Sequence, residues 1–386
     1  MSTSLPPVRR PVPLWARGGR EPLDTSFPGK TVRVCGSGTQ ALAMALLDAK
    51  TRASVPMPEV ILPAYGCPDL VAASVYAGVR PRLVDTAPGQ WGYDLGALPA
   101  ALSASTVAIV AVNLLGTGDQ APELCKIAAT HGVALIQDSA QHLPQDFAAP
   151  WLGEYVVLSF GRGKPLNLLR GGALLHAPAR TAAFASVKVR SMTGLKQSPA
   201  VRRLESLAFN IATDARVYGW SRKLMGGSVG RTQYKLLEAL EEGSPDFRAE
   251  VESALAGYRH DAGYDAGIWS AACQGWAEDG IEPLVCASSH AAAGMLKLRL
   301  AMLARDRRTR DQIVAALDSR GLGATGMYGE SMEKLAGVPV EVASQGPFPN
   351  ADDLAGRLFT LPTHSGVTAQ TVRLTQATLR QLRIGS

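Results

Sequence analysis

Apolar and polar positions between residues 31 and 176 follow two alternating rhythms. Short continuous apolar runs, each ended by a turn signal, predict buried strands at Glu59–Leu62, Arg82–Val84, Val107–Leu115, Val133–Gln137 and Tyr155–Phe160. Gly172–His176 begins one more. Between them lie segments with helical apolar spacing: Thr39–Ala49, Asp69–Ala77, Leu95–Leu102 and Glu123–His131. Strands alternating with helices imply an α/β fold, a mostly parallel central sheet with helices on both faces. In such sheets a ligand sits beyond the carboxyl ends of the strands.

After residue 176 the pattern changes. Residues 178–245 read as mainly helical and polar, with loops at GLKQSP and MGGSVGRTQY. From Asp246 onward, helices are predicted at 247–258, 291–304, 308–319 and 368–383. VPVEV at 338–342 and the segment RLFTLPTH read as strand-like. The expected division is an N-terminal arm (1–30, rich in Pro, Arg and Gly), a large domain (31–245) and a smaller C-terminal α+β domain (246–386).

Composition narrows the function classes. The 386 residues are 46% hydrophobic and 19% charged, an ordinary globular balance. There is no run of eighteen apolar residues, so no membrane-spanning helix is predicted. The N-terminus lacks the apolar core of a secretory signal, which makes the cytoplasm the expected compartment. The net charge of +6 is scattered. Its densest cluster, RDRRTRD at 305–311, carries its own acids and reads as a solvated helix face. Small-molecule partners are therefore expected, rather than nucleic acid or membrane. The five cysteines form no CxxC pair and the six histidines no HExxH set, so no metal site is expected.

Three constellations carry candidate chemistry. Gly36-Ser37-Gly38-Thr39-Gln40 precedes a helix, whose N-terminus offers N–H groups and partial positive charge to a phosphate. A plain capped helix would use the same residues. Asp138, in Gln137-Asp138-Ser139-Ala140-Gln141, follows a buried strand, where a carboxylate needs a positive partner such as a pyridinium nitrogen. A capping aspartate is the plainer reading. Ser159-Phe160-Gly161-Arg162-Gly163-Lys164 follows the next strand. Its hydroxyl suits a phosphate, and its lysine suits imine formation if it is desolvated in the same pocket. A surface lysine is the alternative. GRGK does not match the GxxxxGK[ST] phosphate loop.

These motifs, in this order, resemble the DegT-type sugar aminotransferases, pyridoxal-phosphate (PLP) enzymes of fold type I in the aspartate aminotransferase superfamily. Ser37-Gly38-Thr39 matches the family's turn before the first helix, and VILPAYGCPD resembles its strand end. Asp138–Gln141 matches D-x-A-Q, and Ser159–Lys164 followed by Gly171-Gly172 matches S-F-x-x-x-K with its GG-led strand. LPTHSGVT resembles the C-terminal LPxHxxLT segment. The resemblance covers most of 30–175 and 295–386 and is weak over 180–290.

The resemblance implies pyridoxal 5'-phosphate as cofactor, bound to Lys164 as a Schiff base. Asp138 then pairs with the ring nitrogen, and Gln141 lies near the ring hydroxyl. Ser159 and the backbone of Gly38, Thr39 and Gln40 hold the phosphate. Cys67 stands where many members stack an aromatic residue, so a thiol or flat peptide is expected over the ring, with Tyr65 two residues away. The G-x-N-x-R motif that members contribute from a partner subunit is missing. Arg231 or Thr232, within Gly226–Tyr234, is the candidate replacement.

The implied function is transfer of an amino group from an amino acid, glutamate above all, to a keto group of a nucleotide-linked sugar. The implied assembly is a homodimer with shared sites. Dehydration or non-sugar PLP chemistry on this fold is one alternative. A catalytically retired binding or regulatory homologue is another, which intact Asp138, Ser159 and Lys164 oppose.

Overall fold

The computed structural model describes residues 4–14, 22–148, 150–185, 187–191, 199–224, 233–258, 266–288 and 297–382. Nine strands form the main sheet: β1 Thr31–Cys35, β2 Glu59–Pro63, β3 Arg80–Val84, β4 Thr106–Val112, β5 Ala134–Asp138, β6 Tyr155–Ser159, β7 Gly172–His176, β8 Arg190–Ser191 and β9 Glu241–Glu242. Their spatial order is β3-β2-β4-β5-β6-β7-β1-β9-β8. The run from β3 to β6 is parallel throughout, whereas β7 is antiparallel to both β6 and β1. Strands β2 and β4 are buried almost end to end, as expected for parallel strands covered on both faces.

The two-residue period of a strand sorts these side chains between two cores. Val60, Leu62, Val110 and Ile136 point to one face, where helices Gly38–Ala53 and Asp69–Ala77 cover them. Ile61, Ile109, Ala111 and Leu135 point to the other and meet helix Ala121–His131. A third cluster sets Val156, Leu158 and Leu175 against Phe247, Val251 and Leu255. Helix Pro245–Tyr258 therefore packs on the large sheet, and the Tyr258 hydroxyl donates to the Leu143 carbonyl at 2.6 Å. The apolar cluster on this sheet reaches Tyr258, past residue 246, where the sequence reading begins its C-terminal domain.

The C-terminal part is built on an antiparallel sheet of β10 Glu282–Pro283, β11 Arg299–Leu303 and β12 Leu358–Pro362. Helices Arg307–Ser319 and Ala369–Gln381 pack on it around Trp269, Ile313, Phe359 and Leu379. Two expectations fail here. The helix predicted over 291–304 is strand β11 where it is described, because a short apolar run buried on all sides suits either element. VPVEV holds the short helix Val340–Ala343, entered from Pro339, with Val340 turned outward. The helix predicted at Leu95–Leu102 is also trimmed, to Leu98–Ala101. Among the described residues, no helix is long and apolar enough to cross a membrane.

Candidate functional site

Register brings the first and third constellations together. Ser159, the last residue of β6, lies opposite Gly172, and Gly172 lies opposite Cys35 at the end of β1. The turn leaving β1 thus meets the carboxyl end of β6. The approach is too close for side chains. A Cβ on Gly172 would lie 2.5 Å from the Gly38 nitrogen, and one on Gly38 would lie 2.8 Å from the Ser159 Cβ. Ser37 caps the helix that starts at Gly38, its hydroxyl accepting from the Gln40 N–H at 3.1 Å.

That cap changes the role expected of Gln40. Its backbone N–H serves Ser37, and its side-chain oxygen accepts from Gly36 and Glu241 N–H groups at 3.1 and 2.8 Å. Gln40 fastens the turn to β9 and is not in the cavity wall. The first orphaned donors of a helix need partners, and here the chain supplies one for Gln40 itself.

The other candidates surround one cavity: Gly38, Thr39, Cys67, Asp138, Gln141, Ser159 and Lys164 all line it. Asp138 ends β5, and its Oδ1 accepts from Ala140 N–H at 3.0 Å. Burial pushes this carboxyl up from its ordinary value, against the pull of that N–H and of the Lys164 charge. Among the described residues it has no ion-pair partner within 4.0 Å. Burial pushes the Cys67 thiol up to about 12, so it stays protonated and uncharged at neutral pH. The Gln141 side-chain oxygen accepts from Leu115 N–H at 3.1 Å, and its amide donates to the Tyr328 hydroxyl at 2.9 Å.

Two further wall residues escaped the sequence reading. Asp69, in the first turn of its helix, accepts from the Thr39 hydroxyl at 3.1 Å and adds a second acid to the cavity. Tyr328 arrives from the C-terminal part, next to Met327 at φ 51°. Its ring also meets Tyr65, 5.6 Å between centroids. Tyr65 itself is fully buried and is not in the cavity wall. Asp69 could have been noticed in VILPAYGCPD, but no periodicity marks Tyr328. Of Gly226–Tyr234, only Gln233 and Tyr234 are described, so Arg231 and Thr232 lie outside the described residues.

An amine, a half-buried acid and a helix N-terminus around one cavity at the carboxyl edge of a parallel sheet repeat the order of the motifs. Residues 29–216 match the DegT/DnrJ/EryC1/StrS aminotransferase family. The UDP-N-acetyl-3-dehydro-alpha-D-glucosamine 3-aminotransferase of Acidithiobacillus ferrooxidans is 30% identical over 121 residues, 31% of this chain and 32% of that protein. GDP-perosamine synthase of Caulobacter vibrioides is 27% identical over 207 residues, 48% of this chain and 55% of its own length. The chain thus spans less than two thirds of these curated relatives. The fold match is wider. DesI, solved in the presence of its TDP-sugar product, superposes with a TM-score of 0.65 at 20% identity, covering 96% of this chain and 86% of the other.

The wall residues fit the cofactor that the family motifs imply. The Gly38–Ser159 approach leaves a helix N-terminus and a hydroxyl side by side, which suits a phosphate. Asp138 is a half-buried acid that a protonated ring nitrogen would stabilise.

Proposed function

We propose that this chain is a pyridoxal-phosphate-dependent aminotransferase that moves an amino group from an amino-acid donor, glutamate above all, to a keto group of a nucleotide-linked sugar. The observation that carries this reading is the meeting of Lys164 and Asp138 in one cavity, from consecutive parallel strand ends. When bound, the cofactor supplies an electron-withdrawing ring that stabilises negative charge at the substrate carbon. The protein's own residues supply the rest. Lys164 would hold the cofactor covalently through Nζ, and once freed its amine would carry the proton at the substrate carbon. Asp138 would keep the ring nitrogen protonated, while Gly38, Thr39 and Ser159 would hold the phosphate. Gln141, fixed between Leu115 and Tyr328, would present its amide beside the ring hydroxyl. The Cys67 thiol, kept neutral by burial, would add no charge beside the ring.

Family resemblance and an exposed apolar row support a homodimer with shared sites. Val201, Leu204, Leu207 and Ile211 stand out from helix Pro199–Ala212, each more than 40% exposed. A second copy would cover them.

The test combines a spectrum, a label and an assay. Added cofactor should give near-visible absorbance, and borohydride should fix it to the peptide containing Lys164. Glutamate with a nucleotide-linked keto sugar should then give an amino sugar. Labelling of another lysine would remove Lys164 from this role. Turnover of a free cyclitol or aromatic ketone alone would move the acceptor class toward relatives such as L-glutamine:2-deoxy-scyllo-inosose aminotransferase of Streptomyces kanamyceticus.

A further inference from the structure

The N-terminal arm is extended but does not hang free. Leu5 and Val12 are buried, and between them the chain is fastened at close intervals. Leu5 N–H donates to the Gly321 carbonyl at 2.7 Å. The Pro6 carbonyl accepts from His364 Nε2 at 3.0 Å, and Arg9 pairs with Asp214 at 2.7 Å. Val12 exchanges two hydrogen bonds with the Asn210 side chain, at 2.8 and 2.9 Å. Between these anchors the arm meets the loop that carries Lys164. The Arg10 carbonyl accepts from Asn167 Nδ2 at 2.8 Å, and Val8 packs beside Gly163.

Asn167 is 1% exposed, so both ends of its amide must be satisfied inside the protein. Its nitrogen serves the arm. Its oxygen accepts from Leu169 N–H at 3.1 Å and supports a leucine held at φ 65°, a costly conformation for that side chain. One side chain therefore joins the arm to the strained end of the lysine loop. The arm in turn is joined to the C-terminal sheet through His364, which follows β12.

We propose that residues 5–12 act as a strap that positions Lys164, with Asn167 as the positioning residue through which the strap holds the loop. The proposal rests on Lys164 being the reactive amine, but its physical claim concerns the cofactor-free chain. Asn167 touches neither substrate nor cofactor in this scheme. It sets the loop from which the amine reaches the cavity.

Hydrogen exchange on the cofactor-free chain tests this directly. Asn167→Ala should raise exchange across 161–169 by about tenfold, the scale of one lost buried hydrogen bond in a local opening. Asn210→Ala releases the strap at Val12 without touching the loop, so it serves even where Asn167→Ala folds poorly. It should speed exchange in 4–12 and in 161–169 together. In the loaded enzyme, both variants should lower kcat while leaving the donor KM within about twofold, because a displaced amine impairs the chemical step more than donor binding. Faster exchange in 4–12 with 161–169 unchanged would overturn the proposal and leave the arm as simple packing. Loss of turnover in the wild-type chain with the exchange pattern intact would count against the aminotransferase reading and not against the strap.

Discussion

Gly38 and Ser159 stand so close that a β-carbon on Gly38 would lie 2.8 Å from that of Ser159. This contact joins the helix Gly38–Ala53 to the carboxyl end of β6, in the wall of the cavity. Gly38→Ala must push the serine or the helix aside, at a cost of about 1–3 kcal/mol for an overpacked interior. The expected result is a lower melting temperature and a cofactor Kd raised by about tenfold, the equivalent of 1.4 kcal/mol. Titration with pyridoxal phosphate checks it. Unchanged affinity would show that the phosphate does not sit here.

Asp138→Asn tests the acid separately from the fold. The amide is nearly isosteric and replaces a half-buried carboxyl whose affinity for protons is already raised. The variant should fold at least as well as the wild type and still bind cofactor, because phosphate and lysine remain. Turnover should fall by about a hundredfold or more, since the amide does not stabilise a protonated ring. Near wild-type kcat would remove Asp138 from the proposed role.

Much of the large domain was legible because parallel strands leave continuous apolar runs and their turns fall where ligands bind. The helix Asp69–Ala77 and strand Gly172–His176 lie as the pattern places them. Lys164 and Asp138 share a cavity because Asp138 ends one strand and Lys164 follows the next strand of the same sheet. The C-terminal part was harder to read. Arg299–Leu303 is buried along its length, so periodicity does not distinguish a strand from a helix. Gln40 lies outside the cavity wall for a local reason: its side chain and N–H satisfy the turn itself. Tyr328 lies 187 positions from the Gln141 that binds it, and only the fold brings the two together.

Tyr328→Phe removes the acceptor for the Gln141 amide while keeping the ring against Tyr65. Losing one such hydrogen bond costs about 0.5–1.5 kcal/mol. Gln141 should then turn more freely, and kcat/KM should drop by about threefold to tenfold with little change in melting temperature. A Gln141→Ala, Tyr328→Phe double variant should be no worse than Gln141→Ala alone. Additive losses would show that the two residues act separately.

His364 gives the fold a pH dependence of known sign. Its Nδ1 accepts from Gly366 N–H at 3.1 Å, so the neutral ring carries its proton on Nε2 and donates it to Pro6. Burial pulls the imidazole down from 6.5 to about 4; the Pro6 carbonyl opposes this, and the charges of Arg9 and Arg299 add to it. Between those values the unfolded chain binds a proton that the folded chain refuses. Stability therefore rises with pH across this window, and His364's contribution is lost as pH falls from about 6.5 toward 4. The loss is at most about 3 kcal/mol at 1.36 kcal/mol per unit. Carboxylates titrate in the same range, so the measurement is a comparison. Denaturant unfolding at pH 7 and pH 4.5 should show a smaller difference for His364→Gln than for the wild type. Equal differences in the two proteins would mean that the buried imidazole does not govern this part of the acid response.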